Sequence, residues 1–232
     1  MTIKFFNDPE RLWKLFTLML DGAGVTLSIF FLTLVFSVPL GMLVAQGRMS
    51  RRRLVRAPLS FYIYIMRSTP LMLQIMFIYF LLPQVLPFRV DRFWAVIFAF
   101  VINYAAYFAE IFRSGIQSIP AGQYEAAKVL GYTGGQTFLR IILPLVVPAL
   151  VTSGVFSFIW RWEDFLAPLL YLNRVPSYTM AIALKMFSDP TAQSDWGAMF
   201  AMSTLSLVPA FLIFAMFQKY LVEGIATSGL KG

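Results

Sequence analysis

Ionisable and amide side chains set inside long apolar runs are where this sequence can act on a polar molecule. Arg161, Glu163 and Asp164 lie within VTSGVFSFIWRWEDFLAPLLYL, Arg67 within LSFYIYIMRSTPLMLQ, and Asn103, Tyr107 and Glu110 within VINYAAYFAEIF. Charges at such depth are very costly against lipid, so most of them must face a bundle interior or a wet cavity. Arg161 and Asp164 are three residues apart and can pair on one helix face, whereas Arg161 and Glu163 cannot. Two readings stand: a path that binds a polar or zwitterionic solute through its charges, or a neutralised network that only holds helices together. A buried network without a task is less stable than apolar packing, which favours the path. Arg67 and Glu110 are a second candidate pair across a helix seam; alternatively Glu110 pairs with Arg113 three residues on, or faces water.

Bond-making chemistry has little to work with. The chain has no Cys, which excludes disulfide and thiolate chemistry, and no His, which removes the commonest metal ligand and the usual proton relay. No G-x-x-x-x-G-K-[ST] occurs, so nucleotide phosphates are not cradled by the P-loop route. The sequence predicts neither an enzyme nor a metal site.

Transmembrane helices must position these groups. Of 232 residues 59% are hydrophobic and only 13% charged, with a mean hydropathy of +0.73, where a soluble domain would be about one quarter charged. The reading is an all-α polytopic bundle with about five spans, near 24–46, 59–82, 93–112, 145–171 and 197–220, each able to cross roughly 30 Å of hydrocarbon. Residues 1–21 mix aromatics with charges and read as an interfacial helix rather than a signal peptide. Pro39 should bend the first span, and Gly41 with Ala45 forms a small pair that suits either the core or a dimer seam. Pro70 frees a backbone carbonyl that Ser68 or Thr69 can satisfy. The loop 173–195, with Arg174, Lys185, Asp189 and Asp195, should carry a short scoop helix near Met180–Phe187.

Arg48, Arg51, Arg52, Arg53 and Arg56 crowd one short loop without an acidic residue. Beside apolar spans, that clustering fits the positive-inside rule, so the net charge of +8 reflects orientation and not nucleic-acid binding. The N-terminus is then external, and the loop 116–144 and the tail 223–232, with Lys219 and Lys231 nearby, are cytoplasmic.

The stretch Gln123–Pro144 is polar and set between apolar runs, spaced Glu125-Ala126-Ala127, three residues, Gly131, nine residues, Ile141-x-Leu143-Pro144. YEAAKVL is a short run of good helix formers, bracketed by Pro120-Ala121-Gly122 and Gly131. It is too short to span a bilayer and reads as a knob on one membrane face; an ordinary surface loop is the other reading. This spacing resembles the EAA loop of permease subunits in bacterial ABC importers. The resemblance implies a cytoplasmic coupling helix docked on a separate ATPase, with Glu125, Ala126, Ala127, Gly131, Ile141, Leu143 and Pro144 as the coupling residues. MRSTPLMLQ and FAEIFRSGIQSIPAGQYEAAKVLG resemble the polar-amino-acid branch of that family, with Ser68 in place of its usual Gly. WEDFLAPLLYL, Asp195-Trp196-Gly197, Leu207-Val208-Pro209 and QKYLVEGIATSGLKG resemble the sugar branch. Residues 1 to about 140 thus follow one branch and about 145 to 232 the other.

These likenesses imply a type I importer permease working by alternating access, with a path through Arg67, Asn103, Tyr107, Glu110, Arg161, Glu163 and Asp164. The expected partners are a cytoplasmic ABC ATPase dimer carrying ATP and Mg, a second permease of the same or a related sequence, an extracytoplasmic solute-binding protein and the lipid of a bacterial inner membrane. This chain itself would hold no cofactor. A polar amino acid is the expected cargo; the alternatives are a sugar or oligosaccharide, or an ion-coupled carrier or channel without an ATPase.

Overall fold

Proline, glycine and charged loops divide the apolar stretches, and the helices end where those breakers stand. The computed structural model describes residues 9–85, 91–172, 178–185 and 196–229, and every element among them is helical. Helix α1 (Pro9–Arg48) runs 40 residues without a break, Pro39 included. The residues from Pro9 to Asp21, expected as a separate interfacial helix, therefore form one rod with the first span; residues 1–8 lie outside the described residues. Gly22 does not interrupt α1, because the backbone of Met180 packs against it, 3.2 Å from where a Cβ would stand.

The second span departs from expectation. Helices α2 (Arg53–Ser68) and α3 (Leu71–Met76) meet at 108° instead of forming one rod over 59–82. Thr69, the residue before proline, is held extended at φ −114°, ψ 143°, and Pro70 has no N–H to continue the ladder. A π turn at Phe77–Leu81 and one further turn, α4 (Leu82–Val85), follow.

Helix α5 (Arg92–Ser118) starts on Asp91, whose carboxylate accepts the Phe93 N–H at 2.9 Å, and is the best-buried helix of the bundle. Ala99, Ala105, Ala106 and Ala109 are fully enclosed on it. Their small size admits α1 closely: a Cβ on Gly41 would stand 2.7 Å from the Phe108 Cβ. Gly41 and Ala45 thus pack inside the chain, on α5.

After α5 come α6 (Ala121–Val129), α7 (Gly134–Thr137), a π turn at Phe138–Ile142 and α8 (Leu143–Glu163). Both π turns stand just before a proline, Pro83 and Pro144, where longer-range bonding steps past the missing N–H. The fourth span, expected to run to 171, stops at Glu163 and resumes as α9 (Leu166–Tyr171), because Asp164 is extended. Helix α10 (Met180–Lys185) is the expected scoop helix, pinned to α1 by a buried bond from the Met180 N–H to Thr26 Oγ1 at 3.1 Å. Arg174, Asp189, Asp195 and Lys231 lie outside the described residues. Helix α11 (Trp196–Gly229) continues through most of the expected tail and joins α8 through Trp162 Nε1 donating to the Ser206 carbonyl at 2.9 Å.

Among the described residues four helical stretches are long and apolar enough to cross a membrane, or five when the bent α2–α3 pair counts as one. The protein is an all-α polytopic bundle.

Candidate functional site

The breaks in α2–α3 and α8–α9 leave polar backbone groups inside the bundle, and both are repaired by side chains. At the first, Thr69 Oγ1 donates to the Ile65 carbonyl at 2.8 Å. Gln74 Nε2 donates to Met66 O at 3.0 Å and to Thr69 Oγ1 at 2.7 Å, while Asn103 Nδ2 reaches across from α5 to Met66 O at 3.1 Å and Gln74 Oε1 at 2.9 Å. Gln74 and Asn103 are buried, 9% and 4% exposed, so this knot satisfies the bend from within the protein. At the second break Asp164 Oδ1 accepts the Ala167 N–H at 3.2 Å, starting α9.

Between these breaks lies a cavity of about 600 Å³, walled by Leu71 of α3, by Asn103, Tyr104 and Tyr107 of α5, and by Ser153, Ser157, Trp160, Arg161, Glu163 and Asp164 of α8 and its end. Arg161, only 4% exposed, donates to Asp164 Oδ2 at 2.7 Å and to the Tyr104 hydroxyl at 3.2 Å, and its guanidinium lies 3.7 Å from the centre of the Phe100 ring. An arginine at depth costs about 3 kcal/mol on insertion scales. A desolvated cation–π contact of about 2 kcal/mol plus the paired carboxylate offsets that penalty. Glu163 lines the same cavity and has no hydrogen bond or ion pair among the described residues. One guanidinium and two carboxylates thus face this space, and one carboxylate is uncommitted.

Asn103, Tyr107, Arg161, Glu163 and Asp164 therefore surround one cavity. Arg67 does not join them: its guanidinium stacks on the far side of Tyr107, 5.3 Å from the ring centre, in an adjoining cleft. Nor does it pair with Glu110, which is held by Arg48 and by Arg113, the latter through Nε at 3.0 Å. The i+3 alternative is the pairing that forms, joined by an arginine 62 residues away that charge spacing on one helix does not reveal. Phe100, Tyr104 and Gln74 were missed as well; only Gln74 had a sequence signal, as the last residue of RSTPLMLQ.

The second candidate region is the EAA segment, at the other end of α5 and α8. In α6, Glu125 and Ala126 are exposed, while Ala127 is 1% exposed and Tyr124 anchors the helix by donating to Ile116 O at 3.1 Å. Partial burial pushes the Tyr124 phenol above its ordinary pKa. Gly131 has φ +72°, the one positive φ among the described residues, and completes a Schellman turn: Tyr132 N–H to Ala127 O and Gly131 N–H to Lys128 O, at 3.0 and 3.1 Å. Thr133 and Gln136 form a capping box on α7. Ile141 and Leu143 are half-buried under it, and Pro144 is exposed in the first turn of α8. Val129 and Leu130, 88% and 68% exposed, leave an apolar tip beside Glu125.

Comparison with known proteins places this arrangement. The octopine transport system permease protein OccM of Rhizobium radiobacter is 40% identical over 152 residues, covering 60% of each chain. The arginine transport system permease protein ArtQ of Bacillus subtilis is 39% identical over 139 residues, 58% of this chain and 64% of that one. The matched part thus amounts to about three fifths of the length of these curated relatives. A crystal structure of an amino acid ABC transporter with histidines superimposes with a TM-score of 0.73 at 25% identity, over 96% of this chain and 100% of that one. The pattern of the family described as binding-protein-dependent transport system inner membrane component matches residues 37–227, from α1 through the EAA segment and both broken helices into α11. On that match the chain belongs to the binding-protein-dependent transport system inner membrane components.

Proposed function

We propose that this chain is the permease subunit of an ATP-driven importer and that its cavity passes a polar amino acid across the bacterial inner membrane. The observation that carries the reading is the cavity between two broken helices, where the bonded Arg161–Asp164 pair stands beside Glu163, whose side chain has no partner among the described residues. Solute sites of transporters sit at such discontinuous helices, near the middle of the membrane. Arg161 suits an α-carboxylate, and Glu163 suits an α-amine or a cationic side chain. The octopine and arginine permeases among its relatives support this cargo class.

ATP and Mg are held by a partner ATPase dimer. Its closure moves α6 through the exposed Glu125, Ala126, Val129 and Leu130, and two permease subunits, identical or related, rock around the cavity. An extracytoplasmic binding protein delivers the solute; α6 and the C-terminal end face the cytoplasm and the N-terminal end faces outward. The test is uptake of labelled arginine, glutamine and a neutral sugar by proteoliposomes holding the whole importer. Amino-acid uptake that requires ATP and falls at least tenfold in Glu163→Gln is expected; uptake without any ATPase would mean an ion-coupled carrier.

An oligosaccharide is the second reading. It draws on the sugar-branch likeness after residue 145 and on the aromatic lining of Tyr104, Tyr107, Phe156 and Trp160. Sugar uptake indifferent to Glu163→Gln would favour it.

A further inference from the structure

Four arginines, Arg48, Arg56, Arg67 and Arg113, converge where α1, α2 and α5 meet, and none of them lines the solute cavity. Two clefts open there, of about 390 and 410 Å³, and share Arg48 and Ser60. The first is lined also by Tyr64, Arg67 and Ser68, the second by Arg56, Arg113 and Gln117. Arg56, Ser60, Ile63 and Arg67 are spaced four, three and four apart, so they form one stripe along α2. Against four guanidiniums only one carboxylate stands there among the described residues, Glu110, and it is already shared by Arg48 and Arg113. The Arg56 side chain has no hydrogen bond or ion pair among the described residues, and the Arg67 side chain has only the face of Tyr107. Orientation in the membrane accounts for basic residues in a loop, but not for their gathering around two clefts with shared walls.

The neighbouring face of α2 is apolar and open: Leu54, Phe61 and Tyr64 are 92%, 66% and 66% exposed. A cationic cleft beside an uncovered apolar face matches a molecule with an anionic head and hydrocarbon tails. Basic pockets between transmembrane helices take phospholipid headgroups in this way.

We propose that the paired clefts form a binding site for a phosphate-bearing anion, filled in the membrane by the headgroup of an anionic phospholipid. Arg48 and Ser60, common to both clefts, hold the phosphate, Arg67 and Arg56 add positive charge from one cleft each, and Arg48 ties the headgroup to the Glu110–Arg113 pair. The site is independent of the solute and would stand whatever the cavity carries.

The experiment delipidates the whole importer and measures retention of phosphatidylglycerol, phosphatidylcholine and inorganic phosphate by native mass spectrometry and thermal shift. Phosphatidylglycerol should be retained over phosphatidylcholine. Its affinity should fall about fivefold in Arg56→Gln and about thirtyfold in Arg56→Gln/Arg67→Gln, the ratios that about 1 kcal/mol per basic residue gives. Arg53→Gln, on α2 but outside both clefts, should change it less than twofold. Equal loss in Arg53→Gln, or equal retention of phosphatidylcholine, overturns the proposal. Arg56→Lys keeps the charge and should keep most of the affinity; a loss as deep as in Arg56→Gln would mean a folding effect and also overturns it. Stabilisation by inorganic phosphate with no lipid retained supports the anion site and removes lipid as its occupant.

Discussion

The EAA segment and the charged cavity are both polar regions in an apolar protein, yet they are built in opposite ways. The segment is a set of local bonds: Tyr132 to Ala127, Gly131 to Lys128, Gln136 to Thr133, Tyr124 to Ile116, none spanning more than eight residues. The cavity is assembled across the fold, with Tyr104 bonded to Arg161 over 57 residues and Asn103 to Gln74 over 29. A locally bonded region can be altered without disturbing the bundle, while a region that holds helices together cannot. The two regions should therefore tolerate mutation differently.

The largest effect should come from Arg161→Met. It strands Asp164 at the α8–α9 break without its guanidinium, and removing one partner of a buried pair costs about 3–5 kcal/mol. Thermal unfolding in detergent should show that loss, and Arg161→Met/Asp164→Asn should recover most of it. Recovery of stability without recovery of uptake would separate the solute role from the structural one.

Gln74→Leu should come next, about 1–2 kcal/mol, since the Met66 carbonyl and Asn103, both inside the bundle, lose a partner. If the variant unfolds like the parent, the knot at the bend is not what holds it. Gly131→Val should strain the backbone by about 1–2 kcal/mol, because a β-branched residue is poorly accommodated at φ +72°. The comparison predicts that this strain stays local: assembly with the ATPase and uptake are lost while the melting of the bundle hardly moves. A drop in bundle stability as large as that of Arg161→Met would break the contrast. Smallest in stability, within about 0.5 kcal/mol, is Glu163→Gln, which touches no partner among the described residues. Its effect should appear only in uptake.

The sequence was most legible where the chain bonds to its own neighbours. Gly131 as a turn, the helix over YEAAKVL and the pairing of Arg161 with Asp164 three residues on follow from helix geometry, and the structure has all three. Pro70 announced a disturbed span, but not its size: the 108° bend depends on Gln74 and Asn103 being packed where they can bond Met66. Arg67 and Glu110 were plausible partners by depth in the membrane; the packing of α1 on α5 brought Arg48 to Glu110 instead and left Arg67 on Tyr107.

By itself, then, the amino-acid order determined an all-helical membrane bundle and a short helix between its third and fourth spans. These follow from hydropathy, from proline and from bonds within one or two helical turns. Only the tertiary structure decided that Arg161 rests on Phe100, that the bend of α2–α3 is clasped from α5, and that the Glu163 side chain lines the cavity without a partner among the described residues. Those outcomes rest on which helices touch and at what register. That choice is made by many weak packing contacts summed over the whole bundle, with Gly41 against Phe108 among them, and no short stretch of sequence contains the sum.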